Sequence, residues 1–196
     1  EGTDSTFVYL GGLYHYGFSG STPAISEDAN REIVISEVYA YGDIHTTRKV
    51  FVPEDDSFVR YLEIIENTGS SDREITIEIY SYLGSGDATE VIKTSDGDLD
   101  FTTYDDYIIT DDADGSGTPA LAHVFSGLYA PIKAYRVSGP EPSYNNTYRL
   151  GYSFRITIPA GQRRIIMHFA SQSATRAEAE ANSQRLHCLQ GSALSG

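Results

Sequence analysis

The chain has 196 residues, enough for one domain of ordinary size with its own core. Its 14 basic and 28 acidic residues give a formal net charge of −14, which disfavours nucleic acid and anionic membranes as partners. The 15 tyrosines and the 40% apolar content argue against disorder. The sequence contains no run of about 18 apolar residues, so no membrane span is predicted. Because the sequence starts at Glu1 without a recognisable signal peptide, we expect a mature or excised segment.

In chain order, the first distinctive segment is GGLYHYGFSG at 11–20, which is rich in glycine and aromatic residues. It predicts either a hairpin or an aromatic surface. Tyrosines suit a recognition surface, because each offers a large contact area with a polar tip. The candidates are Tyr14, Tyr16, Tyr39 and Tyr41. The alternative is that they are ordinary structural residues of a sheet, where tyrosine is common.

Most of the chain then alternates between apolar and polar residues with a period of two, as half-buried strands do. The alternation predicts strands at 32–41, 45–53, 57–67 and 73–84, the last two joined as a hairpin. Similar segments continue to residue 172 without any crossover helix. About ten short strands at this spacing predict an all-β fold, an antiparallel β-sandwich.

One helix is predicted near the end, where Thr175 and Glu178 match a capping box and Gly191 ends the pattern. The residues expected to face the sheet are Ala177, Ala181, Leu186 and Cys188. Cys188 is the only cysteine, and we expect a small core residue rather than a reactive thiol. The whole predicts a single domain over 1–190, with 191–196 as the start of a linker.

Residues 94–117 contain eight aspartates and no basic residue. Short carboxylates interleaved with glycine suit Ca²⁺, which takes six to eight oxygen ligands. The candidate ligands are Asp96, Asp98, Asp100, Asp111, Asp112 and Asp114. An EF-hand is excluded, because Phe101 stands where its turn glycine would be and Tyr107 where its bidentate glutamate would be. The alternative to a calcium site is a solvated acidic loop.

Other site chemistry is weakly indicated. The five histidines show no metal-ligand spacing, and His123 and His168 lie within apolar strand patterns, so we expect core or sheet histidines. No nucleophile, phosphate-binding or dinucleotide motif is present, and no carboxylate pair stands out for glycoside hydrolysis. We therefore expect a binding module rather than an enzyme. A hydrolase or lyase of acidic polysaccharide and a passive spacer are the alternatives.

Three stretches, 48–98, 104–125 and 156–172, resemble the peptide-binding β-sandwich modules of large bacterial repeats-in-toxin adhesins. The resemblance implies an extracellular, calcium-dependent module at a bacterial cell surface, part of a larger chain and monomeric by itself. It implies that a bound Ca²⁺ helps capture a peptide or protein C-terminus on another cell. The matching ligand positions are Asp96, Asp98, Asp111, Asp112 and Asp114. The peptide pocket is not assigned, and a glycan is the alternative ligand, in a lectin-like module or an accessory domain of a polysaccharide-degrading enzyme.

Overall fold

The computed structural model describes residues 9–20, 24–37, 42–114, 118–144 and 147–195, with side chains from residue 13 onward. Tyr39 and Tyr41, two of the candidate recognition residues, lie outside these ranges. Twelve strands and one α-helix are found in the described residues. They are β1 Tyr9–His15, β2 Ile25–Glu27, β3 Glu32–Ser36, β4 Ile44–Phe51, β5 Phe58–Asn67, β6 Arg73–Leu83, β7 Glu90–Thr94, β8 Tyr107–Asp111, β9 Ala120–Val124, β10 Arg136–Pro142, β11 Tyr148–Ile158, β12 Arg163–Ser173 and α1 Arg176–His187.

The strands form two sheets in which every pairing is antiparallel. One sheet has four strands in the order β1-β6-β11-β10, and the other has eight in the order β2-β3-β4-β5-β12-β9-β8-β7. The predicted antiparallel β-sandwich with a C-terminal helix is therefore confirmed.

The main core lies between the inner faces of the two sheets. Ile77 and Ile79 of β6 and Phe154 of β11 pack there with Ile65 and Ile108 of the larger sheet, and all five are at most 1% exposed. Successive side chains of a strand point to opposite faces, so the intervening residues of β6 and β11 must face outward. The alternation at 73–84 thus correctly predicts which residues of β6 enter the core.

The predicted hairpin of β5 and β6 is wrong. The two strands belong to different sheets: β5 pairs with β4 and β12, whereas β6 pairs with β1 and β11. Between them the Asn67 side chain donates hydrogen bonds to the carbonyls of Ser71 and Ile158, which fixes the crossing from one sheet to the other. Period-two alternation is the same for a hairpin and for a crossing between sheets, so it could not separate the two.

The helix α1 packs on the outer face of the eight-stranded sheet, against β8, β9 and β12. Thr175 caps it by accepting a hydrogen bond from the amide of Glu178, as the capping box predicts. The predicted sheet-facing side is only partly correct. The helix buries Ala179, Ser183 and Leu186, whereas Ala177, Ala181 and Cys188 are exposed. Cys188 follows the last helical residue, where the chain has already turned away from the sheet.

The residues predicted to begin a linker form a short 3-10 turn at Gly191–Leu194. Ala193 is fully buried there against the same layer as the helix. The Arg60 guanidinium donates to the carbonyls of Ala193 and Ser195, at 3.2 and 2.7 Å. Residues 191–195 are thus packed against the sandwich.

In the described part of the chain, one sheet face has no helix. The only α-helix there, α1, covers the larger sheet, and no described helix packs on the outer face of the four-stranded sheet. No helix in the described ranges is long and apolar enough to cross a membrane.

Candidate ligand-binding surface

The outer face of the four-stranded sheet carries a cluster of tyrosines. Tyr80 and Tyr82 occupy the outward phase of β6, and Tyr14 of β1 pairs with Tyr80 in the sheet register. Tyr16 follows β1 and lies near Tyr80, and Tyr144 follows β10 and lies near Tyr82. We call these five residues the tyrosine face. Tyr14 and Tyr16 were already candidates from the sequence. Of the two interpretations of 11–20, a hairpin or an aromatic surface, the structure agrees with the aromatic surface.

The rings of the tyrosine face contact one another. Tyr14 stacks on Tyr80 with centroids 5.4 Å apart and planes inclined by 29°. Tyr82 meets Tyr80 and Tyr144 edge to face, at 5.5 and 4.8 Å. Tyr14, Tyr16 and Tyr144 are 47%, 67% and 61% exposed, so their contacts with each other leave large ring areas open to solvent. Contiguous exposed aromatic area of this kind is typical of an interaction site.

Charged groups lie beside the rings. The Arg149 guanidinium of β11 lies over the Tyr80 ring, 4.8 Å from its centroid, and donates to the Glu78 carboxylate at 3.2 Å. A hydrogen bond with Tyr82 raises the pKa of the Tyr144 phenol, and the exposed hydroxyl therefore stays protonated at neutral pH. The face thus offers ring surfaces for stacking together with hydrogen-bond donors and acceptors.

The local backbone makes room next to Tyr80. Its register partner on β11 is Gly151, which has no side chain to cover the ring. A Cβ atom at Gly151 would lie 3.0 Å from the Ser138 hydroxyl and 3.5 Å from the Tyr80 Cβ. A larger residue at 151 would therefore crowd the sheet and occupy the space between Tyr80 and β10.

A cluster of ionisable groups lies inside the sandwich, beneath β1. Glu63 of β5 is fully buried and accepts hydrogen bonds from His15 at 3.1 Å and from His168 at 3.0 Å. Arg48 of β4 forms an ion pair with the same carboxylate, with Nε 3.1 Å from Oε1. The Tyr152 hydroxyl bonds to the other ring nitrogen of His168 at 2.8 Å, which links the two sheets.

The pKa values in this cluster follow from burial and pairing. Burial alone would raise the pKa of Glu63, but the hydrogen bonds from His15 and His168 and the Arg48 charge outweigh it and hold the pKa well below its usual range. Burial lowers the pKa of His168 despite its bond to Glu63, so the imidazole is neutral. A carboxylate, an imidazole and a phenol could move a proton between them. Because Glu63 and His168 are 0% exposed, no substrate reaches them in this structure.

The cluster also holds β1 in place. The Arg48 guanidinium donates to the Leu13 carbonyl at 2.5 Å, and the Leu13 amide donates to the Ser81 hydroxyl at 2.9 Å. The register of β1 with β6 shifts twice between Tyr9 and Tyr14, which interrupts the regular ladder of hydrogen bonds between the two strands. The bonds from Arg48 and to Ser81 supplement the ladder there. Since β1 carries Tyr14 and leads into Tyr16, the buried cluster positions one side of the tyrosine face.

The structure places the predicted calcium ligands in two separate groups. Asp96, Asp98 and Asp100 lie in the turn that follows β7. The Thr94 hydroxyl donates to Asp96 at 2.9 Å and is 3.0 Å from Asp98, whose carboxylate accepts from the Asp100 amide at 2.8 Å. The Thr94 bond lowers the pKa of Asp96. Local hydrogen bonds thus hold these carboxylates together.

The second group, Asp111, Asp112 and Asp114, lies at the opposite end of the β7–β8 pair, because Thr94 pairs with Ile108 and Glu90 with Asp111. Asp111 accepts a hydrogen bond from the Arg176 side chain at 2.7 Å, and Asp114 accepts one from the Arg176 amide at 3.2 Å. The six aspartates therefore do not converge on one point. Within the described ranges, no group of three or more His, Cys, Asp or Glu side chains is arranged to hold a metal ion.

Two further aspartates of the acidic segment were not singled out from the sequence. Asp105 is fully buried and accepts hydrogen bonds from the Thr102 amide and the Ser95 hydroxyl. Asp106 is bonded to Lys133 at 2.6 Å and to His187 at 3.0 Å. The partners of Asp106 are distant in sequence, so spacing alone gave no signal for it.

The functional candidates that sequence reasoning missed are Tyr80, Tyr82, Tyr144 and Arg149. A signal for the first two was present. In REITIEIYSYLG the isoleucines at 75, 77 and 79 define the buried phase, which leaves Tyr80 and Tyr82 in the outward phase. Tyr144 and Arg149 reach the face through long-range pairing, which the local pattern does not reveal.

A cavity of about 550 Å³ lies elsewhere. It is formed by the loop after β9, the outward residues of β12 and the end of α1, and it includes Leu128, Met167, Phe169 and Leu186. Its lining is mainly apolar, and His187, one of its polar members, is already bonded to Asp106. Ligand sites generally combine apolar walls with a few convergent polar groups. The tyrosine face has such polar groups beside its rings, in Arg149 and Glu78.

No protein-family model matches the chain. A search of curated proteins gives no match either.

Solved structures share the fold at low sequence identity. The chain is similar to heparinase III, with a TM-score of 0.55 and 13% identity over 86% of this chain and 24% of that one. It is similar to the Slr1438 protein from Synechocystis sp. PCC 6803, with a TM-score of 0.51 and 9% identity over 86% and 77%. It is also similar to a galactose mutarotase-like protein from Lactobacillus casei ATCC 334, with a TM-score of 0.50 and 7% identity over 79% and 72%. At these identities the likeness concerns the β-sandwich itself.

Proposed function

We propose that this chain is a carbohydrate-binding module that holds a sugar chain on the tyrosine face. The carrying observation is that five tyrosines, from β1, β6 and the segments that follow β1 and β10, meet on the sheet face that no described helix covers. The C–H face of a pyranose ring is apolar and its rim is polar. Tyrosine matches both properties, with an apolar ring and a hydroxyl tip.

The polar neighbours fit the same ligand. Arg149 and Glu78 provide donors and an acceptor beside the rings, and sugar hydroxyls can accept from the first and donate to the second. The lack of tryptophan is no obstacle, because stacked tyrosines supply the ring area that a single tryptophan would. Heparinase III and the galactose mutarotase-like protein, two of the similar structures, have names that refer to carbohydrates, which supports the proposal at the level of fold.

Truncating exposed members of the face tests this function. We expect Tyr14→Ala and Tyr144→Ala each to weaken glycan binding by about ten-fold, which corresponds to about 1.4 kcal/mol, because each removes ring area from the sugar contact. Affinity electrophoresis in gels containing a panel of polysaccharides, followed by calorimetric titration, measures the change.

The chain offers matched controls. Tyr104 and Tyr129 are 88% and 91% exposed and lie outside the tyrosine face. Tyr104→Ala and Tyr129→Ala should bind as the wild type does. Equal losses in all four variants, or no retardation of the wild type by any polysaccharide, would contradict the proposal.

The calcium-dependent capture of a peptide terminus stays a prediction from the resemblance to adhesin modules, as do the extracellular location and the absence of catalysis. A peptide array with free and amidated C-termini, run in Ca²⁺ and in chelator, addresses the first. Turnover of a polysaccharide during incubation would contradict the binding-only expectation.

A further inference from the structure

We infer that the ligand of this face is an acidic polysaccharide, whose carboxylate or sulfate groups bind Arg155 and Arg136 beyond the tyrosines. The inference rests on the proposed carbohydrate function and names its ligand class. It starts from the arginines of the same sheet face, because they are an unusual feature in a chain with twice as many acidic as basic residues.

The arginines extend the tyrosine face along the sheet. Arg149 and Arg155 both point outward from β11, six residues apart, which is about 20 Å along an extended strand. Arg136 of β10 pairs with Ser153, one outward position before Arg155. Gly151 and Ser153 are the outward residues between the two arginines of β11, and both are small. Both are also buried, so the exposed groups of this face are the tyrosines at one end and Arg155 and Arg136 at the other. The distance between them corresponds to several sugar units.

These two arginines differ from most of the other basic residues in having no carboxylate partner among the described residues. Ten of the 14 basic side chains form ion pairs with carboxylates. Among the described residues, no carboxylate lies within 4.0 Å of Arg155 or Arg136. The two other exceptions are Arg163 and Arg164, at the start of β12 in the larger sheet.

Arg155 is held ready for an anion. Its guanidinium lies 3.7 Å from the centroid of the Tyr135 ring, and both residues are exposed. Stacking on an aromatic ring orients the planar guanidinium while its edge N–H groups stay in solvent. A carboxylate or sulfate can accept two parallel hydrogen bonds from such an edge, which a neutral hydroxyl cannot.

The acidic residues of this face leave the Arg155 guanidinium unpaired. Glu78 is bonded to Arg149, and Glu141 pairs with Arg149 in the sheet register. Glu74 pairs with Thr157, next to Arg155, but among the described residues no carboxylate lies within 4.0 Å of Arg155. The three glutamates balance the three arginines, so the face is close to neutral on a molecule with a net charge of −14. A polyanion thus meets less repulsion here than the net charge of the chain would impose.

The test uses pairs of polymers that differ in charge. Polygalacturonate should bind at least ten-fold more tightly than its fully methyl-esterified, neutral form, and chondroitin sulfate more tightly than desulfated chondroitin, which keeps only its uronate carboxylates. Raising NaCl from about 50 to about 500 mM should weaken binding of polygalacturonate but not of its methyl ester, and of chondroitin sulfate more than of desulfated chondroitin, because screening acts on exposed charges. Calorimetric titration or affinity electrophoresis gives both comparisons.

Variants assign the effect to residues. The double variant Arg155→Gln with Arg136→Gln should bind the acidic polymer no better than the neutral one, and should leave binding of the neutral polymer unchanged. Arg163→Gln is the matched control, since Arg163 is exposed and has no carboxylate within 4.0 Å in the described ranges, but lies on the other sheet. It should behave as the wild type.

The outcomes separate the two proposals. Equal affinity for charged and neutral polymers, with Tyr14→Ala still weakening both, would overturn the acidic ligand and leave the carbohydrate function standing. Binding of no glycan at all would overturn both. Binding of a free-acid peptide but not of its amide, lost in the double variant, would assign the arginines to a peptide carboxylate and overturn the acidic sugar.

Discussion

Two histidines buried between strands make the stability of this protein sensitive to acid. Burial lowers the pKa of His123 from 6.5 to about 3, and burial also lowers the pKa of His168. Both side chains are 0% exposed, so protonation in the folded state is unfavourable. The sequence correctly predicted core or sheet histidines here, because each lies in the middle of an apolar strand pattern. It did not predict the hydrogen bonds of His168 to Glu63 and Tyr152, which come from other strands.

The sign of the pH effect follows from the depressed pKa. Above pH 6.5 His123 is neutral in both folded and unfolded chains and contributes no pH dependence. Below pH 6.5 the unfolded chain binds a proton that the folded chain excludes, so the free energy of unfolding falls until about pH 3. The loss from His123 alone is roughly 2 to 3 kcal/mol by pH 4.5. Glu63 acts in a lower window, because its depressed pKa keeps its contribution intact until the pH falls below about 4.5.

Urea unfolding between pH 7 and pH 4.5 measures this prediction. His123→Gln should lower stability at pH 7 but flatten the pH dependence. His45→Gln is the control, because His45 is exposed and should leave the slope unchanged. Identical slopes for the wild type and His123→Gln would show that His123 is not the titrating group.

At the scale of elements, the edge strand β1 depends on charges that it does not itself supply. Its contacts with the interior run through Arg48, Glu63 and Ser81 to the backbone of Leu13 and the ring of His15. None of these partners was recognisable from the sequence, since they lie on β4, β5 and β6. The local pattern predicts that a strand exists, whereas the strand that it pairs with is decided by contacts distant in sequence. The wrong hairpin prediction for β5 and β6 has the same cause.

Removing the Glu63 charge should therefore loosen β1. We expect Glu63→Gln to destabilise the protein by roughly 3 kcal/mol, because it leaves Arg48 as a buried cation without its counter-charge. Hydrogen exchange should rise first at the amides of β1. Glu66→Gln on the same strand is exposed and should be nearly neutral. Equal stability of the two variants would contradict the anchoring role.

At the scale of the whole molecule, the acidic segment contributes two separate hydrogen-bonded turns. The sequence correctly located where carboxylates are concentrated, but it could not show that Asp111 faces Arg176 from the helix or that Asp105 is buried. For the tyrosine face, the sequence predicted Tyr14 and Tyr16 as candidates, and the alternation in β6 was sufficient to predict Tyr80 and Tyr82 as well. The contribution of β11, with Arg149 and Arg155, follows only from the sheet order.

Calcium binding is still a prediction from the sequence, and melting experiments test it. An ion that binds only the folded state adds RT ln(1 + [L]/Kd), which is about 2.7 kcal/mol at about 100 times Kd. The melting temperature should rise with added Ca²⁺, and the rise should shrink in the double variant Asp112→Asn with Asp114→Asn. Asp87→Asn, at an exposed position outside the acidic segment, is the control. An unchanged melting temperature in Ca²⁺ and in chelator would identify the segment as a solvated acidic surface.

Chemical-shift mapping tests the central claim, that the outer face of the four-stranded sheet binds sugar, most directly. An isotope-labelled chain is titrated with an oligosaccharide prepared from a polymer that retards it in gels. We predict that the amides with the largest shifts lie on β1, β6 and β11, and that Tyr80, Tyr82 and Arg149 are among them. Shifts confined to the cavity at the end of α1, or to the turn after β7, would contradict the account.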